Sequence, residues 1–183
     1  MQIARGLIVA MTLVAGAARA QAGPPIVYDC DTAAGHFSEL NLSAPAPAFT
    51  VTGRVQNLAV LRDKQYAPVA RIAVTNAAAP GPSDEAWSGF EYIVSPTAVG
   101  KEPTVHMLLS SNRAKGGDNK TDLLGMADKA GTDFTVSYRT GEVTTTVAGK
   151  TVKSALTPAA PVIRLICSTG DFLFSNMRIT PQP

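Results

Sequence analysis

Glu91 and His106 are the two side chains whose types and spacing come closest to a proton-transfer pair. Glu91 sits in a period-two segment with Trp87 and Ile93 on its own face, and His106 alternates with Val105, Met107 and Leu109 in the next segment. If the connection Ser95 to Pro103 folds these segments back as antiparallel neighbours, the carboxylate and the imidazole stand across from each other. A carboxylate so placed raises an imidazole pKa, and the pair could act as acid and base or hold a sugar hydroxyl near Trp87. The plainer reading is a cross-strand polar pair beside a packing tryptophan. Trp87 follows a Pro/Gly segment and is the aromatic residue best placed to stack on a sugar; its alternative is a rim residue covering the sandwich edge.

Other chemistries lack their residues. Asp118-Asn119-Lys120-Thr121-Asp122 offers oxygen ligands in a Gly-rich stretch, which makes Asp118 and Asp122 the candidates for calcium, but Lys120 interrupts the spacing and the final bidentate acid is missing. An ordinary polar loop is the alternative, and neither a metal nor a cofactor is expected. Serine hydrolase chemistry has no Gly-x-Ser-x-Gly turn, and Lys115-Gly116-Gly117 follows no phosphate-loop pattern. His36, in Gly35-His36-Phe37, has no ligand-forming neighbour and reads as a turn residue.

Cys30 and Cys167 are the only cysteines and stand near opposite ends of the chain. Ahead of them an apolar run from Gly6 to Ala15 follows Arg5, is too short to span a bilayer as a helix, and leads into Gly16-Ala17-Ala18-Arg19-Ala20. This order predicts a signal peptide over 1–20 with a second Ala-x-Ala site at Ala20 to Ala22, a retained anchor being the alternative. Residues 21–183 then form a single domain in the periplasm or outside the cell, and the Ala-rich signal resembles those of bacterial exported proteins. In such an oxidising compartment an isolated cysteine pair reads as one disulfide, Cys30 to Cys167, with two buried thiols as the alternative. Removing Arg5 and Arg19 with the signal balances basic against acidic side chains, where the full chain carries a formal +2. No Lys/Arg cluster remains to follow a phosphate backbone, so nucleic acid is not an expected partner, and no membrane span is expected after cleavage.

Short alternating segments must position these residues. Phe134, Val136 and Tyr138, then Val143, Thr145 and Val147, then Val152, Ser154 and Leu156 predict three strands running up, down and up, with turns at Thr140-Gly141 and Gly149-Lys150. Val162 to Cys167 and Asp171 to Ile179 predict a closing hairpin turning at Thr169-Gly170. Upstream, strands are expected at Ile26 to Asp31, at Phe49 to Val55 with a bulge near Asn57-Leu58, around Ile72, around Tyr92 and around Met107. The stretch Asn112 to Lys129 lacks alternation and reads as a loop. About ten strands without an amphipathic helix predict an all-β protein, two antiparallel sheets packed as a β-sandwich or jelly roll.

The run Phe134-Thr135-Val136-Ser137-Tyr138, Gly141-Glu142-Val143, Val147-Ala148-Gly149, with the closing Gly170-Asp171-Phe172, resembles the concanavalin A-like lectin/glucanase superfamily, especially its laminin-G-like branch. The resemblance implies glycan binding or glycan cleavage. The Glu-x-Asp-x-x-Glu strand of its retaining glucanases is missing, and Asp84-Glu85 with Glu91 has the wrong spacing to replace it. Of the Arg-x-Glu-x-Arg, Gln-x-His and Tyr-x-Lys strands of its alginate lyases, His106 and Tyr138-Arg139 supply only scattered matches. The expected protein is an exported module that binds a carbohydrate or cell-envelope ligand without catalysis, through Trp87, Glu91 and His106. A polysaccharide hydrolase or lyase with an atypical site at Glu91 and His106 is one alternative, and a structural or protein-interaction domain is another.

Overall fold

The structure is a computed structural model that describes the backbone over 23–61, 63, 65–77, 86–98, 101–114, 117–126 and 131–183, and side chains over the same residues outside 95–130. The signal peptide expected at 1–20 lies outside the described residues. Ten strands follow in order: β1 (Ile26–Ser43), β2 (Phe49–Val60), β3 (Val69–Asn76), β4 (Trp87–Ala98), β5 (Lys101–Ala114), β6 (Gly117–Met126), β7 (Thr132–Arg139), β8 (Glu142–Val147), β9 (Lys150–Ala155) and β10 (Pro161–Pro181). All pair antiparallel, in the order β6-β5-β4-β3-β10-β2-β7-β8-β9, with β1 added along β10. The all-β sandwich expected from the alternation is the fold that forms.

Two layers arise because one ribbon bends. β10 pairs with β3 along Pro161 to Ser168 and with β2 along Gly170 to Pro181, while β1 accompanies it on both sides of that break. β2 and β3 therefore lie end to end beside β10, and the fold line passes through the connection between them. There β1 carries extra residues, its register jumping from Thr32 opposite Gly170 to Phe37 opposite Ser168. Thr169, fully buried, takes a φ of 56°. That conformation is costly for a β-branched residue. Local bonds offset part of the cost: Thr32 Oγ1 donates to the Gly170 carbonyl at 2.9 Å, and the Gly35 N–H donates to Thr169 Oγ1 at 3.3 Å. The front layer comprises the second half of β1, the first half of β10, and β3 to β6; the back layer holds the other halves with β2 and β7 to β9.

The core lies between the layers, where β4 packs on β8 and β3 on β7. Phe90 meets Phe134 at 5.2 Å between ring centres, and Tyr92 stands edge-on to Phe172 at 5.8 Å. Ile72, Val74, Ile163 and Leu165 from the front and Val51, Phe49, Phe174 and Met177 from the back fill the rest. Cys30 pairs in register with Phe172 of the back layer and Cys167 with Ala70 of the front. They are disulfide-bonded at a Cα separation of 6.3 Å. The bond thus crosses the core at the fold line.

Three local expectations change. Thr169-Gly170 is a bend within β10 and not a hairpin turn, because β1 stays paired with β10 before and after it. β1 itself continues past Asp31 to Ser43. The stretch read as a loop over Asn112 to Lys129 contains the end of β5 and all of β6. As the terminal strand of the sheet order, β6 can form without the apolar alternation that a doubly covered strand shows. The three-strand meander β7–β8–β9 forms as expected, though its second turn is centred on Ala148-Gly149 and not on Gly149-Lys150, because Lys150 already pairs with Val147. Both turns have positive φ at both central residues, 43° and 82° at Thr140-Gly141 and 48° and 77° at Ala148-Gly149. These are the primed turns that match strand twist.

Candidate functional site

The outward face of the front layer carries the polar side chains that sequence alternation leaves pointing away from the core. Register defines its rows. Glu39 of β1, Ile166 of β10, Arg71 of β3 and Glu91 of β4 form one; Asn41, Arg164, Ala73 and Gly89 form the next; Ser43, Val162, Thr75 and Trp87 form a third. Residues directly opposite in adjacent strands share a face, so each row presents its side chains to the same side.

Two groups of linked charges stand on this face. Arg71 Nε and Nη2 donate to Glu91 Oε1 at 2.9 and 2.5 Å. The Arg71 guanidinium then continues along β4 and lies over the Trp87 ring, 4.0 Å from its centre. Its path crosses the row of Ala73 and Gly89, where the lack of large side chains leaves room. In the second group Arg164 Nε donates to Asn41 Oδ1 at 2.8 Å and lies 3.2 Å from Glu39 Oε1, while Asn41 Nδ2 donates to the same Glu39 oxygen at 2.7 Å.

Burial divides each group into an anchor and a presented partner. The Glu91 side chain is 5% exposed against 21% for Arg71, and the Arg164 side chain 8% against 25% for Glu39. Asn41 is exposed. A buried charge is stable only when paired and hydrogen-bonded. Glu91 and Arg164 therefore fix the geometry, and Arg71, Glu39 and Asn41 offer a cation, an anion and an amide to solvent. Glu39 and Arg71 are two strands apart, about 10 Å from 4.8 Å strand spacing.

Trp87 and Glu91 share a face, as the alternation implied, but Trp87 is buried with Arg71 over its ring and is not open to a sugar. His106 does not stand across from Glu91. The register of β4 against β5 sets Glu91 opposite Leu109 and His106 opposite Val94, three positions away and so on the other face of the sheet. Glu91 is turned to Arg71 of the opposite neighbour instead. Asp118 lies within β6 opposite Arg113, and Asp122 occupies the register shift beside Leu123, so neither belongs to a Gly-rich loop; their side chains lie outside the described residues, as does the pair Asp84-Glu85. Tyr138 points into the core against Phe49, with ring centres 5.8 Å apart. Among the described residues no cluster of His, Cys, Asp and Glu is arranged to hold a metal, and no helix is long and apolar enough to cross a membrane.

Arg71 and Arg164 belong to no motif, yet each leaves a signal in the sequence. Both interrupt an apolar run, as Ala70-Arg71-Ile72 and Ile163-Arg164-Leu165. A lone arginine at an outward position of such a strand marks a layer covered on its inner side and polar on its outer.

No protein-family model matches the chain, and no curated protein matches it in sequence. Solved structures do match in fold. A polysaccharide lyase of family 18 is 10% identical over 85% of this chain and 88% of its own, with a TM-score of 0.55. An alginate lyase from Alteromonas sp. 272 is 10% identical over 74% and 72%, with a TM-score of 0.51. The carbohydrate recognition domain of Emp47p is 12% identical over 86% and 89%, with a TM-score of 0.50. The chain thus shares the β-sandwich jelly-roll fold of these structures.

Proposed function

We propose that this protein is an exported carbohydrate-binding module of the concanavalin A-like type that binds a neutral glycan, without cleaving it, on the outward face of its front layer. The observation that carries the proposal is the pairing of buried anchors with presented partners: Glu91 holds Arg71, and Arg164 holds Glu39 and Asn41. Such side chains are preorganised, so little conformational entropy is lost when a ligand arrives. Guanidinium donors, carboxylate acceptors and an amide that does both suit the paired hydroxyls of a sugar. Glu39, in the same row as Arg71, disfavours a polyuronate, whose charge it would repel. The fold shared with lectins and polysaccharide lyases agrees with a glycan ligand. The disulfide agrees with export, and cleavage after Ala20 leaves 21–183 as the mature domain.

The separation of Glu91 from His106 in register speaks against the acid/base pair that a hydrolase or lyase needs. The test is a glycan array of the mature protein with Arg71→Ala and Asn41→Ala, run beside a depolymerisation assay. Binding of a neutral glycan that both variants weaken, with no shortened or unsaturated product, is the expected result. Release of unsaturated products would replace the binding module with a lyase.

A further inference from the structure

Every Phe, Tyr and Trp of the chain has a described side chain, and all but two are buried or packed against the core. Phe37 and Tyr66 are the exceptions, 63% and 54% exposed. They are 29 positions apart in sequence, yet the fold line brings them to the same end of the front layer. Phe37 is the first residue of β1 beyond its extra residues and stands opposite Ser168, which faces Val69 of β3 on its other side. Its alternation places it on the outward face with Glu39 and Asn41, one row from the row of Glu39 and Arg71 and two strands across from Arg71 itself. One row is two residues, about 7 Å along a strand.

Tyr66 precedes Val69 in the β2–β3 connection, and Asp63 fixes it there. Asp63 Oδ1 accepts the backbone N–H groups of Gln65 at 2.7 Å and Tyr66 at 2.9 Å. Its other oxygen lies 3.5 Å from where a Cβ would stand on Gly35, inside the extra segment of β1. The turn that holds Tyr66 and the segment that ends at Phe37 therefore lie against each other. Two large rings exposed on adjoining segments leave apolar area in water, and an aromatic ring beside polar groups is the surface on which the C–H face of a pyranose packs.

We propose that Phe37 and Tyr66 are the stacking platform of the binding face, taking one pyranose unit of a neutral glycan whose following units run over Glu39, Arg71 and Asn41. This inference rests on the carbohydrate reading and adds to it the position that Trp87, covered by Arg71, does not fill. Asp63 and the exposed His36 supply hydroxyl partners at the rim.

Affinity electrophoresis through gels cast with mannan, β-glucan, xylan or alginate tests it, with Phe37→Ala, Phe37→Tyr and Tyr66→Ala beside the parent protein. Val27→Ala, 62% exposed on the back layer, is the control. The parent is expected to be retarded in at least one neutral gel. Phe37→Ala and Tyr66→Ala should each raise the apparent Kd tenfold or more, while Phe37→Tyr and Val27→Ala stay within twofold. An unchanged Trp87 emission spectrum in each variant shows the fold intact. Retardation of both alanine variants equal to the parent overturns the platform and leaves the carbohydrate reading standing. Retardation in alginate alone overturns the neutral ligand, and no retardation of the parent in any gel overturns both.

Discussion

Replacing Arg71 by methionine removes the charge but keeps an apolar stem of similar length, so its effect isolates the ion pair and the ring contact. Glu91 is then a carboxylate 5% exposed that has lost the guanidinium, and Trp87 loses the cation over its face. Breaking a buried pair costs about 3–5 kcal/mol; the partial exposure of Arg71 places this case near about 3 kcal/mol, the ring contact included. For a domain of this size that lowers Tm by about 6–12 °C. Glu91→Gln leaves the charge on the more exposed partner, which can turn to water, and should cost only about 1–2 kcal/mol. The double variant Arg71→Met with Glu91→Gln removes both charges and should be less destabilised than the sum of the two by about 2 kcal/mol. Trp87 is the only tryptophan, so urea unfolding followed by its emission reports from the site itself. A cycle with no coupling, or a Glu91→Gln cost larger than that of Arg71→Met, would refute the assignment of Glu91 as anchor and Arg71 as presented group.

Further outcomes follow from the same geometry. Cys30 and Cys167 close a sequence separation of 137 residues, and replacing both by alanine should lower stability by about 5 kcal/mol in the chain-entropy model, measured by urea unfolding at equal protein concentration. Gly89→Ala should be destabilising by about 3 kcal/mol or more, since its Cβ would run into the Ile72 carbonyl and approach Ala73 Cα to 2.7 Å; a Tm equal to the parent's would show that β3 and β4 separate freely. Asp171 sits opposite Asp31 and near Asp29, and burial, reinforced by those carboxylates, raises its pKa above the ordinary 3.8. A carboxyl raised in the folded state favours folding while protonated, and that contribution is lost as pH rises from the unfolded value through the folded one. Asp171→Asn should therefore be more stable than the parent at pH 7 and show a flatter Tm against pH between 3 and 6; an unchanged slope would sink this reading.

The strands that could be read from sequence are those with one face in the core and one in solvent. β7, β8 and β9 alternate cleanly, and their positive-φ turns carry glycine at the second position. β10 reads as two strands in sequence because Thr169-Gly170 looks locally like a turn. What decides otherwise is long-range pairing with β1, which no short window contains. β6 is not legible for a different reason, since Gly117–Met126 opens with a polar run and carries no apolar alternation. At the site, Trp87 and Glu91 were legible as one face, but the neighbour that Glu91 chooses depends on strand order. β4 has both β3 and β5 beside it, and only the register reveals that Arg71 faces Glu91 while His106 does not. Phe37 and Tyr66 are 29 positions apart in sequence, and only the fold line sets the segments that carry them side by side.

Backbone amide NMR of the isotope-labelled protein, titrated with an oligosaccharide of whichever neutral glycan retards it, locates the ligand residue by residue. Binding on the front layer requires shifts concentrated at 37–41, 66–73 and 164–168. Shifts confined to the back layer, around Asp29, Asp31 and Asp171, with those segments unmoved, would contradict it.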